Sequence, residues 1–391
     1  VVVKRVPGRL IQIVLIALLM AIPVPASAQG APTVTLEASD THFTFGSPTK
    51  LSGTITPATD AQEIHILDDD GARVATAQTN RSGEFSVKLE KPRSNMNLRA
   101  EWAGTLSDVV PIRVRPLLDV KLGRTRLFDD AGAWGRISPS TVGGLVTVQL
   151  KRNGRVYKTH KAKISPAGWF RTKFSVDKPG SFKVIASHDD GDHMPAKSSS
   201  KSSNTPLPNL SSGSDSIYVK LLEQRLKKLH YMVPKPNQHF DFRTSDNIIA
   251  FNKVQGRSRV SYVTESTWRA LASPKIPKPK FSWPKYHIEV DQTKQVLYRV
   301  KKNKVISIMH VSTGAGSATR DGTFNFDSKL AGYSRKRLYH PSFFDGARAI
   351  HGWPEVPTYN ASHGCVRVPM WQATWIFSKV EIGQLIRIYH S

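Results

Sequence analysis

Ser362-His363-Gly364-Cys365-Val366-Arg367 holds the only cysteine in a chain of 391 residues. Fourteen residues before that cysteine stands the histidine of Ile350-His351-Gly352. A thiolate is a strong nucleophile, but a free thiol titrates near pH ~8.5 and needs a base or local positive charge to react at neutral pH. His351 and His363 are both candidate bases. Gly364 lets backbone approach a substrate closely and frees the N–H groups of Gly364 and Cys365 to point at a developing oxyanion. Arg367 lies two residues past Cys365. In an extended segment both fall on one face, where the guanidinium suits a carboxylate.

Other readings of the thiol fit less well. An inert buried cysteine does not sit naturally among His, Gly and Arg. A metal set drawn from His340, His351, His363 and Cys365 lacks the paired short spacing of zinc motifs, so no metal is expected. A papain-like protease runs Cys before His, the reverse of the order here.

The His-Gly and Ser-His-Gly-Cys pieces together are similar to the signature of the L,D-transpeptidases, the YkuD-type catalytic domain, and the resemblance spans residues 285–391. Val311-Ser312-Thr313-Gly314 resembles that family's strand-end turn. Thr319-Arg320-Asp321-Gly322-Thr323-Phe324 resembles its Thr-Pro-x-Gly-x-Phe segment, with Arg320 in place of proline. The interval from His351 to Cys365 is slightly short for the family, which implies a shortened loop over the site. The resemblance implies Cys365 as nucleophile and His351 as general base, oriented by the carbonyl of Gly352. It implies an oxyanion hole from Gly364 and Cys365, with His363 either joining it or shaping the cysteine loop. Arg367 would hold a donor carboxylate, with Ser362, Tyr339, His340 and Trp353 as substrate-binding candidates beside Tyr359; ordinary packing is the alternative for the aromatic ones.

The implied chemistry is ping-pong acyl transfer without a cofactor. Cys365 attacks the third-residue carbonyl of a tetrapeptide stem, D-Ala leaves, and the side-chain amine of a second stem resolves the thioester into a 3→3 cross-link. Water as acceptor would make it an L,D-carboxypeptidase. The implied partners are peptidoglycan stem peptides, the implied setting cell-wall biogenesis and cell shape, and the implied inhibitors carbapenems that acylate the cysteine.

Outward from this domain the chain is mainly β and multidomain. Tyr286–Val290 alternates, Val296–Val300 and Val305–Ser312 predict a hairpin, and a helix is expected from Met370 to Val380 after Pro369. Residues 216–275 carry helical spacing at Val219, Leu222, Leu226 and Leu229, a second stripe at Ile248, Ile249 and Phe251, and a third short helix over 265–272. Val219–Leu226, Leu229-His230-Tyr231, Ala250–Lys253 and Thr267–Leu271 resemble a small three-helix peptidoglycan-binding-like domain. His230 stands where that family has Gly, and a plain helical spacer is the alternative. Ile276–Pro284 reads as a stiff linker, and the Ser- and Pro-bearing stretch 195–215 as a flexible one.

Residues 33–115 and 117–190 both read as β-sandwiches of immunoglobulin-like type, in tandem. Gly53–Pro57 matches Gly135–Pro139 at an offset of 82, and Ser82–Phe85 matches Ala167–Phe170 at an offset of 85. Asn153-Gly154 marks a hairpin turn. Spacing or surface adhesion are the roles expected of this pair.

Residues 1–28 read as a signal peptide. Lys4, Arg5 and Arg9 precede an apolar run from Leu10 to Val24, and Ala26-Ser27-Ala28 is a small-residue cleavage site. An uncleaved anchor is the alternative. The chain has 56 Lys and Arg against 30 Asp and Glu, a net +26, and removing three basic residues with the signal leaves 26 − 3 = +23. Such charge on an exported protein points to an anionic cell wall. No nucleic-acid motif is present, and a monomer is expected. A non-enzymatic wall-binding protein is the rival reading.

Overall fold

The computed structural model describes residues 1–2 and 30–391. The signal-peptide reading, apart from its first two residues, lies outside the described residues. No helix among the described residues is long and apolar enough to cross a membrane. The protein divides into two compact units, residues 1–114 and 115–391.

The first unit is two antiparallel sheets around one apolar cluster. Thr49–Thr56 pairs with Thr33–Val34, Glu37–Ala38 and Glu84–Leu89 in one sheet, and Glu63–Leu67 and Met96–Trp102 lie central to the other. The alternation read at Ile64 and Ile66 turns both inward, where they share a core with Leu51, Phe85, Leu98 and Ile112.

The second unit opens on the same plan. Leu117–Leu122, Asp130–Ser138 and Trp169–Ser175 form one sheet, while Leu145–Arg152 lies between Arg155–Lys163 and Ser181–His188 in the other. Asn153 and Gly154 both take positive φ (49° and 81°), the pair of values a two-residue hairpin turn requires.

The stretch 195–215 departs from the expected flexible linker. Ala196–Ser199 and Ser203–Asn204 are strands that pair with Ser181–His188. Leu210 exchanges backbone hydrogen bonds with Val263, and Trp268 Nε1 donates to the carbonyl of Pro208 at 2.8 Å. Composition reports side chains, whereas this segment is fixed by its backbone on an open sheet edge.

Three helices follow: α1 (Ile217–Lys228), α2 (Phe242–Gln255) and α3 (Glu265–Ala272). Asp241 caps α2 by accepting from the amides of Arg243 and Thr244, and Gly256 closes it with φ +68°. Thr264 and Thr267 form a reciprocal cap on α3. Their core (Val219, Leu222, Leu226, Ile248, Phe251, Trp268, Leu271) is continuous with Leu127 before it and with Val296, Tyr298 and Ile308 after it. The helices are therefore mortar between the preceding β-domain and the C-terminal one.

Lys253 of α2 is 2% exposed. Its Nζ lies 3.0 Å from the carbonyl of Gln295, 2.9 Å from that of Val311 and 2.6 Å from Nδ1 of His310. Burial pulls the ammonium's pKa down, yet only a protonated lysine has a donor for all three acceptors. His310 agrees with this. Burial, then the lysine's charge, push it to about 3, so it is neutral, with Nε2–H donating to Val356 O at 2.8 Å.

The C-terminal domain holds two sheets. Lys304–His310, Val296–Lys301, Tyr286–Asp291, Leu385–Tyr389 and Gly322–Asn325 run in that spatial order. Ser328–Lys329, Tyr339–Asp345, Arg348–Trp353 and Val366–Pro369 form the other, its last two strands parallel. Helix α4 (Met370–Lys379) follows Pro369 and packs its Ala373 and Ile376 into the core with Ile350, Val366 and Val368. The expected linker Ile276–Pro284 is tied down by buried Glu289, which accepts from the amides of Lys280 and Phe281.

Replacing Lys253 by Met keeps the volume and strips three buried acceptors of their donor. The expected cost is ~3 kcal/mol, read as a lower urea midpoint for residues 115–391. An unchanged midpoint would remove the ammonium from any structural role.

Candidate active site

The site is built where two parallel strands are joined by a connection that has no helix. His351 lies in Arg348–Trp353 and is in register with Arg367 of Val366–Pro369. Cys365 immediately precedes that second strand. On its other side, Arg367 exchanges backbone hydrogen bonds with Ser312 at 2.9 and 3.1 Å. His351, Trp353, His363, Cys365 and Arg367 converge on one cleft of about 490 Å³ that also takes in Lys336, Leu338, Ala347 and Arg348.

His351 is 2% exposed, and its Nδ1 lies 2.9 Å from the carbonyl of Gly352. A carbonyl only accepts, so Nδ1 carries the proton and Nε2 keeps its lone pair. Burial holds the imidazole below its ordinary value, opposed by that hydrogen bond and helped by the charge of Arg367. Gly352 is required by packing: a Cβ there would come within 2.7 Å of the Ala373 Cβ. Burial pushes the Cys365 thiol up, against the backbone at Ala349 and the cations Arg367, Arg348 and Lys336. These shifts leave a neutral imidazole and a thiol, and the thiol points to the carbonyl of Ala347 at 3.8 Å.

The cysteine loop is clamped from two sides. Ser362 Oγ donates to Cys365 O at 2.6 Å and accepts from the amide of Gly364 at 3.1 Å. Thr319 Oγ1 donates to Gly364 O and accepts from Gly314 N, both at 2.8 Å. Gly364 sits at φ +123°, and a Cβ there would approach Ala318 O to 2.8 Å and Arg348 Nε to 2.9 Å. The Gly364 amide, expected to be free for an oxyanion, is therefore engaged by Ser362. Ser362, expected to touch substrate, does line the cleft, and its hydroxyl also clamps the cysteine turn.

Arg367 lies with its guanidinium 5.0 Å from the ring centre of Trp353, whose ring stands nearly perpendicular to that of His351 with centres 5.6 Å apart. It makes no ion pair among the described residues, which leaves its charge for a ligand. Tyr339 and His340 do not line the cleft. Tyr339 packs against Tyr333 and Gly352, and His340 sets its ring edge against Phe377. Tyr359 is exposed outside the cleft, and its carbonyl accepts from Ser312 Oγ at 2.6 Å.

Thr319, Lys336 and Arg348 were missed as site residues by sequence reasoning. The Thr319 segment was noticed, but its hydroxyl's task depends on a contact with a residue 45 positions away. Arg348 donates to Ala318 O and to Asp345, and Asp345 also holds Arg320, the residue standing in place of proline.

The site loop is also held from α2 and the turn after it. Lys253 reaches it through His310 and Val356, and Arg259 donates to the carbonyls of Thr358 and Thr293 at 2.5 and 2.8 Å.

Residues 285–388 match the family described as the L,D-transpeptidase catalytic domain, YkuD. An L,D-transpeptidase crystal structure from Xylanimonas cellulosilytica is 30% identical over 48% of this chain and 100% of its own, with a TM-score of 0.45. The chain belongs to the L,D-transpeptidase family. Other L,D-transpeptidases are similar at lower identity. The Enterococcus faecium catalytic domain is 22% identical over 28% of this chain and 100% of its own, with a TM-score of 0.24. A Mycobacterium tuberculosis enzyme is 9% identical over 69% of this chain and 95% of its own, with a TM-score of 0.26. No curated protein matches the chain.

Ser362→Ala removes one hydroxyl that holds both Cys365 O and Gly364 N. Acylation of Cys365 by a carbapenem is expected to slow by roughly tenfold to a hundredfold, at about 1.4 kcal/mol per decade. Thermal unfolding should move little; an unchanged acylation rate would mean the clamp is dispensable.

Proposed function

We propose that the protein is a cysteine-dependent L,D-transpeptidase that forms 3→3 cross-links between peptidoglycan stem peptides. The observation that carries this is His351, buried, neutral and held by Gly352 O in the tautomer that leaves Nε2 free, in one cleft with Cys365. The base takes the thiol proton as Sγ attacks the third-residue carbonyl of a tetrapeptide stem. Negative charge grows on that carbonyl oxygen. With the Gly364 amide engaged, the Cys365 amide is its principal donor, and the cations of the cleft add to the field. Collapse releases D-Ala, protonated by His351, and leaves a thioester. The neutral side-chain amine of a second stem attacks it, His351 takes the amine's proton, and loss of the thiolate, which recovers that proton from His351, completes the cross-link. No cofactor is needed in this sequence.

Lys336, Arg348 and Arg367 support the reading because stem peptides end in carboxylates, and a cationic cleft draws and orients them. Water in place of the amine gives L,D-carboxypeptidase activity from the same acyl-enzyme. The net charge of the chain, the signal-peptide reading and the family support a cell-wall setting for this work, after export. In the same reading the two β-domains are immunoglobulin-like carriers of a monomeric enzyme. The helical module acts as a brace, because its core is shared with the catalytic domain.

The test is the intact mass of protein treated with a carbapenem, and the muropeptides formed from a tetrapeptide stem. Wild type is expected to gain one adduct and to make the cross-linked dimer. Cys365→Ala should do neither, and His351→Gln should lose at least a hundredfold in rate. Folded wild type that forms no adduct and consumes no tetrapeptide would overturn the proposal.

His351 must be neutral to act, and burial keeps its pKa below the ordinary 6.5. The acylation rate should therefore fall to half its plateau only at a pH below 6.5. A midpoint above 6.5 would contradict the neutral-pair description.

A further inference from the structure

The outer face of the three-stranded sheet in the second β-domain carries two exposed indoles. Trp134 is 41% exposed and Trp169 is 51% exposed, while the alternate residues of their strands, such as Ala133, Ile137 and Phe170, are buried. The rings stand on neighbouring strands, Trp134 across from Arg171 and Trp169 across from Arg136. The Arg136 guanidinium lies 5.7 Å from the Trp169 ring centre. Trp134 lies over two glycines. A Cβ at Gly123 would crowd its ring at 3.3 Å, whereas one at Gly132 would only rest against it at 3.8 Å.

The first β-domain supplies an internal control. Its sheet has the same register: Glu37 opposite Ser52 matches Lys121 opposite Trp134. The Ser39 amide donates to Lys50 O as the Gly123 amide donates to Gly132 O, both at 2.8 Å. At the positions of Gly123, Gly132, Trp134 and Trp169 the first domain has Ser39, Lys50, Ser52 and Glu84. The fold therefore needs neither indole nor the glycines beneath one of them. The second domain has gained two rings, the space for one of them to lie along the sheet, and cations around them.

We propose that this face is a binding platform for the glycan strands of peptidoglycan. A pyranose ring offers a flat face of C–H bonds that stacks on an indole. Two such rings on adjacent strands suit successive sugars of a polymer. Lys121, Arg136, Arg171 and Lys173 surround them, against Asp119 and Asp130, and Asp119 already accepts from the Arg136 amide at 2.9 Å. That excess of positive charge fits sugars substituted with carboxylate-ending peptides. The choice of ligand rests on the proposed wall-peptide activity; the platform itself rests on the two domains' differences.

The test is co-sedimentation of the full chain with purified sacculi stripped of accessory anionic polymers. Trp134→Ser with Trp169→Glu installs the residues that the first domain tolerates at these positions, so the fold is preserved. Retention is expected to fall roughly tenfold or more. Phe at both positions should restore part of it. Carbapenem acylation of Cys365, measured on the same samples, should not change. Retention equal to wild type in the Ser/Glu variant overturns the platform, as does wild type that stays in the supernatant with stripped and unstripped sacculi alike. Wild type retained by unstripped sacculi but not by stripped ones overturns the choice of peptidoglycan. Loss of acylation in wild type instead overturns the enzymatic reading, whatever the sacculi show.

Discussion

A single buried ammonium sets how the C-terminal half of this protein is put together. Lys253 comes from the helical module, but its three acceptors all belong to the catalytic domain. Withdrawing a charge from water is expensive unless every proton finds an acceptor, and here each does. The arrangement has no slack. A shift of α2 would strand the lysine, and a shift of the strand end at His310 and Val311 would strand the carbonyls. That strand end continues into Ser312 and Gly314, which pair with Arg367 and Ser362 beside the nucleophile. The helices and the site are thus parts of one rigid arrangement, reinforced by Trp371 Nε1 donating to Asp246 of α2 at 2.8 Å.

Rigidity matters because the site works with neutral partners. A cysteine stabilised as thiolate needs little from its surroundings at the moment of attack. Cys365 is held as a thiol by burial, so its proton must move to His351 as the bond forms. That transfer depends on geometry more than on equilibrium charge. The fold supplies it through fixed backbone: Gly352 O chooses the tautomer, and Ser362 and Thr319 hold the cysteine turn. The three cations of the cleft favour the thiolate without reversing the effect of burial.

Much of this was legible in the sequence because the chemistry is concentrated. Within six consecutive residues lie the nucleophile, its turn and Arg367, and His351 follows from an equally short piece. Strand and helix positions came from periodicity, and α4 begins directly after Pro369, where the sequence pointed. What stayed hidden depends on contacts between distant residues. Thr319, Lys336 and Arg348 enter the cleft only after the sheets pair. Tyr339 and His340 looked like groove residues because polar aromatics often line sites. The strand instead sets Tyr339 against the bare backbone of Gly352, and His340 turns toward α4. Lys253 had no local signal at all: on a helix with apolar neighbours, a lysine normally marks the solvent side. The serine-rich stretch misled for a related reason, since a β-ladder needs only backbone and small side chains are no obstacle to it.

The two β-domains show which parts of a sheet are constrained and which are free. Gly53 and Gly135 occupy the same place, and a Cβ would strike a neighbouring carbonyl at 2.1 Å in the first and 2.0 Å in the second, with Phe85 or Phe170 next to it. Inside the sandwich the volume is already filled, so both copies keep glycine and phenylalanine there. On the outer face no such limit acts, and the same register carries Ser52 and Glu84 in one copy and Trp134 and Trp169 in the other. Large apolar side chains in water gain nothing for folding where they stand. Two of them, with Gly123 making room beneath Trp134, are better explained by what the surface meets than by the fold. The stabilising interior and the interacting exterior of one sheet are thus set by separate physical demands, and comparing the repeats separates them within a single chain.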